Sequence, residues 1–172
     1  MEAMTQGENK RVGVLFRRLD VALLLLRVMI GVVFIAHGAQ KLFGVFGGRG
    51  LGATAGIMAG NGLKPGMFFA VLAGISEFGG GLLLFVGLLT PLAGLAITGV
   101  MVVAIAVSSG ERGFIAIGGN QGYEYNLVLI AIALALVVAG PGRLSLDRQL
   151  GLDQILVDRF RRSRTNRAES SS

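Results

Sequence analysis

The chain reads as an all-α integral membrane protein, a bundle of four membrane-crossing helices with both termini on the cytoplasmic side. Three observations carry that reading. Hydrophobic residues make up 53% of the sequence, mean hydropathy is +0.71, and only 15% of residues are charged; a soluble core needs far less apolar sequence. Four apolar stretches, at about 20–42, 66–88, 91–108 and 124–140, are separated by glycine-rich or polar segments. The 28 glycines suit helices that pack backbone to backbone in lipid.

The first span, VALLLLRVMIGVVFIAHGAQKLFG over residues 21–44, organises the rest. On a helix, Arg27, Gly31, Phe34, Gly38 and Lys41 share one face, with the single histidine, His37, at its edge. Leu25, Val28, Val32 and Ile35 form the opposite, purely apolar face. An arginine at the centre of a spanning helix costs roughly 2.5–3.5 kcal/mol on insertion scales, so it must face protein or water and have a partner.

Residues 1–19 read as a polar, mobile, basic leader. Its length, the arginine inside the first apolar run and the three further spans argue against a cleaved signal peptide. Residues 44–65 are too polar to span. Within them, LGATAGIMAG at 51–60 has the character of a short helix lying in the interface of the first outer loop. Its glycines precede no GK[ST] and follow no strand, which excludes a nucleotide loop. The second span carries Glu77, and Leu88-Leu89-Thr90-Pro91 makes a tight connection with Pro91 suited to a first helical turn. Glu124 opens the fourth span, where a carboxylate favours a helix N-terminus, and Gly140-Pro141-Gly142 ends it. Residues 143–172 form a basic tail in which Leu152, Ile155, Leu156 and Phe160 recur at helical spacing.

Net charge is +6, and eleven of the sixteen Lys/Arg lie outside residues 20–140. That distribution makes both ends cytoplasmic and points to anionic lipid rather than nucleic acid. The chain has no cysteine, which removes disulfides, thiol redox chemistry and thiolate-held metal centres formed by its own residues. One histidine with scattered carboxylates matches no metal-ligand spacing.

Two polar layers are expected inside the bundle. Deeper in, Glu77 is the natural partner for Arg27, as an ion pair that either fixes helix register or takes part in chemistry. Nearer the outside, His37, Gln40 and Lys41 end span one while Tyr123, Glu124, Tyr125 and Asn126 begin span four. Lys41 with Glu124 is the expected pair there, with His37 and Asn126 as hydrogen-bonding neighbours; for Tyr125, snorkelling at the interface is the simpler reading.

The Arg27…Phe34…His37-Gly38…Lys41 run, Glu77 with Gly79-Gly80 and the GLLTP turn, the Glu124-Tyr125-Asn126 opening and the PGRLSLDRQLG ending at 141–151 together resemble the DoxX family of small four-span bacterial membrane proteins. The resemblance implies a four-helix bundle in the plasma membrane and a role as an oxidoreductase subunit. Relatives called DoxD are associated with thiosulfate:quinone oxidoreductase, and some DoxX proteins with a complex linking superoxide dismutase and a sulfurtransferase in oxidative-stress defence. Many members carry a histidine near the end of span three, where this chain has Ser108-Ser109; a histidine-rich redox or metal centre does not carry over.

Three functions remain open from the residues. In the first, the chain is a membrane subunit acting on a quinone, which needs an apolar slot and donors for its oxygens. Arg27 or Lys41 would donate, His37 would deliver a proton, Glu77 would relay it, and Gln40, Glu124 and Asn126 would contact the ring. Electrons would come from a bound cofactor or partner. In the second, the chain is a scaffold whose basic tail docks soluble redox enzymes. In the third, it is a small transporter or proton pathway. Self-association of the chain is compatible with all three.

Overall fold

A computed structural model describes residues 2–110, 113–115 and 122–151. The amphipathic tail segment from Leu152 to Phe160 lies outside the described residues, as does much of the loop between the third and fourth expected spans.

The described chain is helical throughout: α1 (Glu2–Phe43), α2 (Gly50–Gly60), α3 (Gly66–Val86), α4 (Thr90–Ala104), α5 (Glu124–Ala139) and α6 (Leu146–Gln149), with a π-helical turn at Ile105–Ser109 extending α4. α3 lies at the centre, packed most extensively on α1 and also on α2 and α4, while α5 packs on α4 and more lightly on α1.

Proline and glycine set most of the boundaries. No proline interrupts the chain before Pro65, and α1 stops at Gly44, whose φ of 73° few other residues tolerate. α3 begins directly after Pro65 and ends at Gly87 in the left-handed conformation, with Gly87 N–H donating to Leu84 O and Leu88 N–H to Leu83 O. Pro91 sits in the first turn of α4.

Helix α1 departs from the expected leader-plus-span. It is continuous from Glu2, not from about residue 20. Residues 11–20 lack any strong breaker, and Val12, Leu15, Phe16 and Leu19 repeat at helical spacing, so nothing in the sequence stops the helix at the span.

Among the described residues, three segments are long and apolar enough to cross a membrane: Arg11–Phe43, Gly66–Val86 and Thr90–Val107. The expected fourth span falls on α5, an apolar helix that is not among these three: its 16 residues reach about 24 Å at 1.5 Å per residue, short of a hydrocarbon core of about 30 Å. Large apolar side chains such as Leu25, Met29, Val32, Leu72, Ile75, Leu92 and Val138 face outward, as lipid-facing residues do. Inside, Ile30, Phe34, Leu84, Ile97, Met101, Leu129 and Leu136 form one core.

At α1 the expected inward face is the buried one: Arg27, Gly31, Phe34 and Gly38 are buried, whereas Leu25 and Val32 are exposed. Glycines bring α1 and α3 almost into backbone contact. A Cβ on Gly38 would lie 2.3 Å from Phe78 N, and one on Gly81 would lie 2.7 Å from Ile35 N and 2.9 Å from Gly31 O. Dispersion and weak polar contacts between backbones drive such association in lipid.

The PGRLSLDRQLG ending folds back as a knot over the α3–α4 turn. Asp147 is buried; its Oδ1 accepts from Leu89 N–H at 2.7 Å, its Oδ2 from Thr90 N–H at 3.0 Å, and its own N–H donates to Gly87 O at 2.9 Å. A carboxylate thus satisfies the free N–H groups that open α4 and complements that helix dipole. It also holds Leu89 at φ 48°, a conformation that leucine rarely adopts. Ser145 caps α6 through Arg148 N–H, and Asp20 Oδ1 accepts from Arg143 N–H at 2.8 Å, tying the knot to α1.

Removing the Asp147 carboxylate leaves two backbone N–H groups without their acceptors, at roughly 1–3 kcal/mol each when buried. Asp147→Ala should lower the thermal midpoint in detergent by several degrees, and Asp147→Asn by less. Gly87→Ala should be harsher than either, because its Cβ would lie 1.5 Å from Arg27 Nη1, whereas Gly99→Ala, with nothing within 4 Å, should be near neutral.

Candidate functional site

The register of α1 against α3 decides which charges meet. Gly31 faces Gly81, Gly38 faces Phe78, and Leu42 packs on Gly74. In the same register Lys41 reaches Glu77, and the two form an ion pair with Glu77 only 2% exposed. Arg27 falls opposite Gly87, ten residues from Glu77 and so about 15 Å along the helix axis.

The expected Arg27–Glu77 pair is therefore not formed. Arg27, 1% exposed, sends Nη2 to the carbonyl of Leu144 at 2.5 Å and has Asp147 as its opposing charge. The glycine contacts set the register of α1 on α3 so that Arg27 is level with Gly87, one end of α3, and not with Glu77 near its middle. Arg27 thus belongs to the knot and not to the inner cavity.

Lys41 is likewise not paired with Glu124. Glu124 sits at the start of α5, its N–H bonded to Phe114 O at 3.1 Å and its carboxylate close to Gly122. Tyr123 stacks edge-on against Phe114. Neither residue reaches the Lys41–Glu77 pair. Lys41 is in the last turn of α1, where a cation is favoured by the helix dipole.

The pair forms part of the wall of a half-open 680 Å³ cavity lined by α1, α2, α3, α4 and α5. His37, Gln40, Arg49, Thr54, Asn61, Ser76, Tyr125 and Asn126 contribute its other polar side chains, while Phe34, Met58, Phe69, Leu72, Val100 and Met101 are among its apolar walls. Its volume is that of pockets that take drug-sized ligands. Helix α2 covers one end with Thr54, Ile57 and Met58.

The polar groups have distinct roles. His37 Nδ1 lies 2.8 Å from Val33 O; a carbonyl only accepts, so Nδ1 carries the proton and Nε2 of the neutral ring keeps its lone pair. Gln40 Nε2 donates to Phe46 O at 2.9 Å and pins the chain after α1. Asn126 Nδ2 points to Met101 Sδ at 3.6 Å, a weak acceptor. His37 and Asn126 are thus co-residents of the cavity with Lys41 and Glu77, and their own hydrogen bonds go elsewhere. Among the described residues no three of His, Asp and Glu converge as a metal site would require.

Sequence reasoning does not reach the cavity residues Arg49, Thr54, Asn61 and Ser76 or the anchor Asp147. Ser76 lines the cavity beside Glu77, and its position next to a buried carboxylate was the available signal. Asp147 was readable only as part of a motif; the serine three residues before Arg148 marks the α6 cap, but nothing local shows that the carboxylate turns back to α4.

A double-mutant cycle on thermodynamic stability separates the pairings. Lys41→Met with Glu77→Gln should give a coupling of about 1–3 kcal/mol, whereas Arg27→Met with Glu77→Gln should be additive within about 0.5 kcal/mol.

Comparison with known proteins adds a family to this geometry. The DoxX family model matches residues 22–110. A Bacillus subtilis protein named "Putative oxidoreductase CatD" is 34% identical over 128 residues, covering 74% of this chain and 86% of that protein. The "Uncharacterized membrane protein Rv3486" of Mycobacterium tuberculosis is 33% identical over 133 residues, covering 73% of this chain and 78% of that protein. No solved structure matches.

Proposed function

The chain belongs to the DoxX family, and from that premise we propose that its cavity binds a quinone ring as the membrane subunit of an oxidoreductase, in sulfur or oxidative-stress metabolism. The observation that carries the reading is the buried Glu77 carboxylate paired with the partly buried Lys41 in the wall of an otherwise largely apolar cavity inside a membrane protein. Ionisable side chains at that depth are retained at a cost and mark ligand or proton sites more often than not. The name of the Bacillus subtilis relative supports the reaction class.

In this reading Lys41 donates to one ring oxygen and Asn126 to the other. Reduction adds two electrons and two protons to the ring, giving the quinol. The electrons come from a partner redox protein at the membrane surface, since the chain has no cysteine to carry them. His37 in its protonated form supplies one proton through Nε2 and Lys41 the other. Glu77 holds the charge of the lysine and, once Lys41 has given up its proton, takes one from water and passes it back to the amine. Arg27, anchored at Leu144, takes no part.

The same proposal sets the protein in the bacterial plasma membrane with four passes. The knot and both termini lie on the cytoplasmic side, where eleven of the sixteen Lys/Arg would then sit. α5 is the fourth pass, its short length taken up by local thinning or by flanking residues.

Solvent extraction of the purified protein followed by mass spectrometry should find ubiquinone or menaquinone at close to one per chain. Glu77→Gln should reduce that occupancy at least tenfold while the protein remains monodisperse. Wild-type protein that neither carries nor takes up any quinone would end the reading.

A further inference from the structure

We propose that the cavity is entered sideways, through a cleft between α3 and α4, and that Gly99 and Ala96 keep this entrance wide enough for a ligand's hydrocarbon tail. The proposal rests on the ring site described above and specifies how the ligand reaches it. The two helices are tied together at one end by the short Gly87–Leu89 turn and the Asp147 carboxylate. Just beyond it they still touch: a Cβ on Gly80 would meet Ile97 Cγ1 at 3.3 Å. Farther along, the half-open cavity lies between them. Phe69, Leu72 and Ala73 of α3 and Gly99, Val103 and Ala104 of α4 line the cavity.

The separation has a cause on the other flank of α4. Gly94 lets that helix lean onto α5, so closely that a Cβ there would lie 2.7 Å from Val137 Cγ2 and 3.1 Å from Ala133 O. α4 therefore stays against α5 while α3 stays against α1. The small residues Ala73, Ala96 and Gly99 leave the gap unfilled, and a Cβ on Gly99 would meet nothing within 4 Å.

The chemistry of the entrance names its occupant. Both flanking segments are long and apolar enough to cross a membrane, so the mouth opens at the depth of acyl chains. Leu72, Leu95 and Val103, each about half exposed, form its rim, and none of them offers a hydrogen bond. Behind the rim lie the Lys41–Glu77 pair and Asn126. A ligand that satisfies both ends has a polar ring and a saturated or isoprenoid chain, the ring inside and the chain trailing into lipid.

The test uses the full chain in nanodiscs and two probes with one ring, decylubiquinone with its ten-carbon tail and the tailless ubiquinone-0. Gly99→Trp should weaken decylubiquinone binding at least tenfold and change ubiquinone-0 binding by less than twofold. Ala96→Phe is the second variant, should the tryptophan impair folding, and should act in the same sense. If either well-folded variant weakens both probes alike, or changes neither, the lateral entrance is wrong while the ring site stands. If the wild-type chain binds neither probe, the ring site itself is wrong and the entrance falls with it.

Discussion

Two helices that meet through glycine determine everything of interest in this bundle. α1 and α3 approach so closely at Gly31, Gly38 and Gly81 that a single methyl group at any of them would strike the neighbouring backbone or the Cβ next to it. Lipid offers little hydrophobic drive for helices to associate, so the attraction is short-ranged and demands a tight fit. A tight fit allows few registers. The register in place brings Lys41 beside Glu77 and carries Arg27 away to the turn at Gly87.

The consequence is a separation between a buried cation, Arg27, and a partly buried one, Lys41. Arg27 is held by a carbonyl and by the charge of Asp147 in a knot that also caps α4. Planar and multiply donating, its guanidinium suits a fixed anchoring role among backbone oxygens. Lys41 is a flexible point charge with its partner in the wall of a cavity. Buried ion pairs are weak evidence of stabilisation on their own. A pair that faces a ligand-sized space is better explained by what enters it than by the stability it adds.

Much of the fold was legible from residue pattern. Periodicity gave the buried face of span one, the glycine-flanked run at 51–60 gave α2, and Pro91 with the Gly140-Pro141-Gly142 stop bounded α4 and α5. The start of α1 is not marked in the sequence, because polar residues without strong breakers continue a helix as readily as they form a loose leader. Of the cavity's polar members, His37, Gln40, Lys41, Glu77 and Asn126 are marked by the sequence, while Arg49, Thr54, Asn61 and Ser76 are not, and neither is the pairing. Pairing depends on the axial offset of two helices, which contacts such as Gly38 with Phe78 fix and hydropathy does not encode. Asp147 lay hidden for a related reason, since its partners are backbone groups near residue 89 that no side-chain pattern announces.

That offset is open to a direct measurement in a chain that has no native cysteine. Paired cysteines at Leu42 and Gly74, whose Cβ positions are in contact range, should form a disulfide rapidly and in high yield under mild oxidation in membranes. Cysteines at Arg27 and Glu77, about 15 Å apart along the axis, should not. Efficient cross-linking of the second pair, with none of the first, would contradict the register and with it the separation of anchor from site.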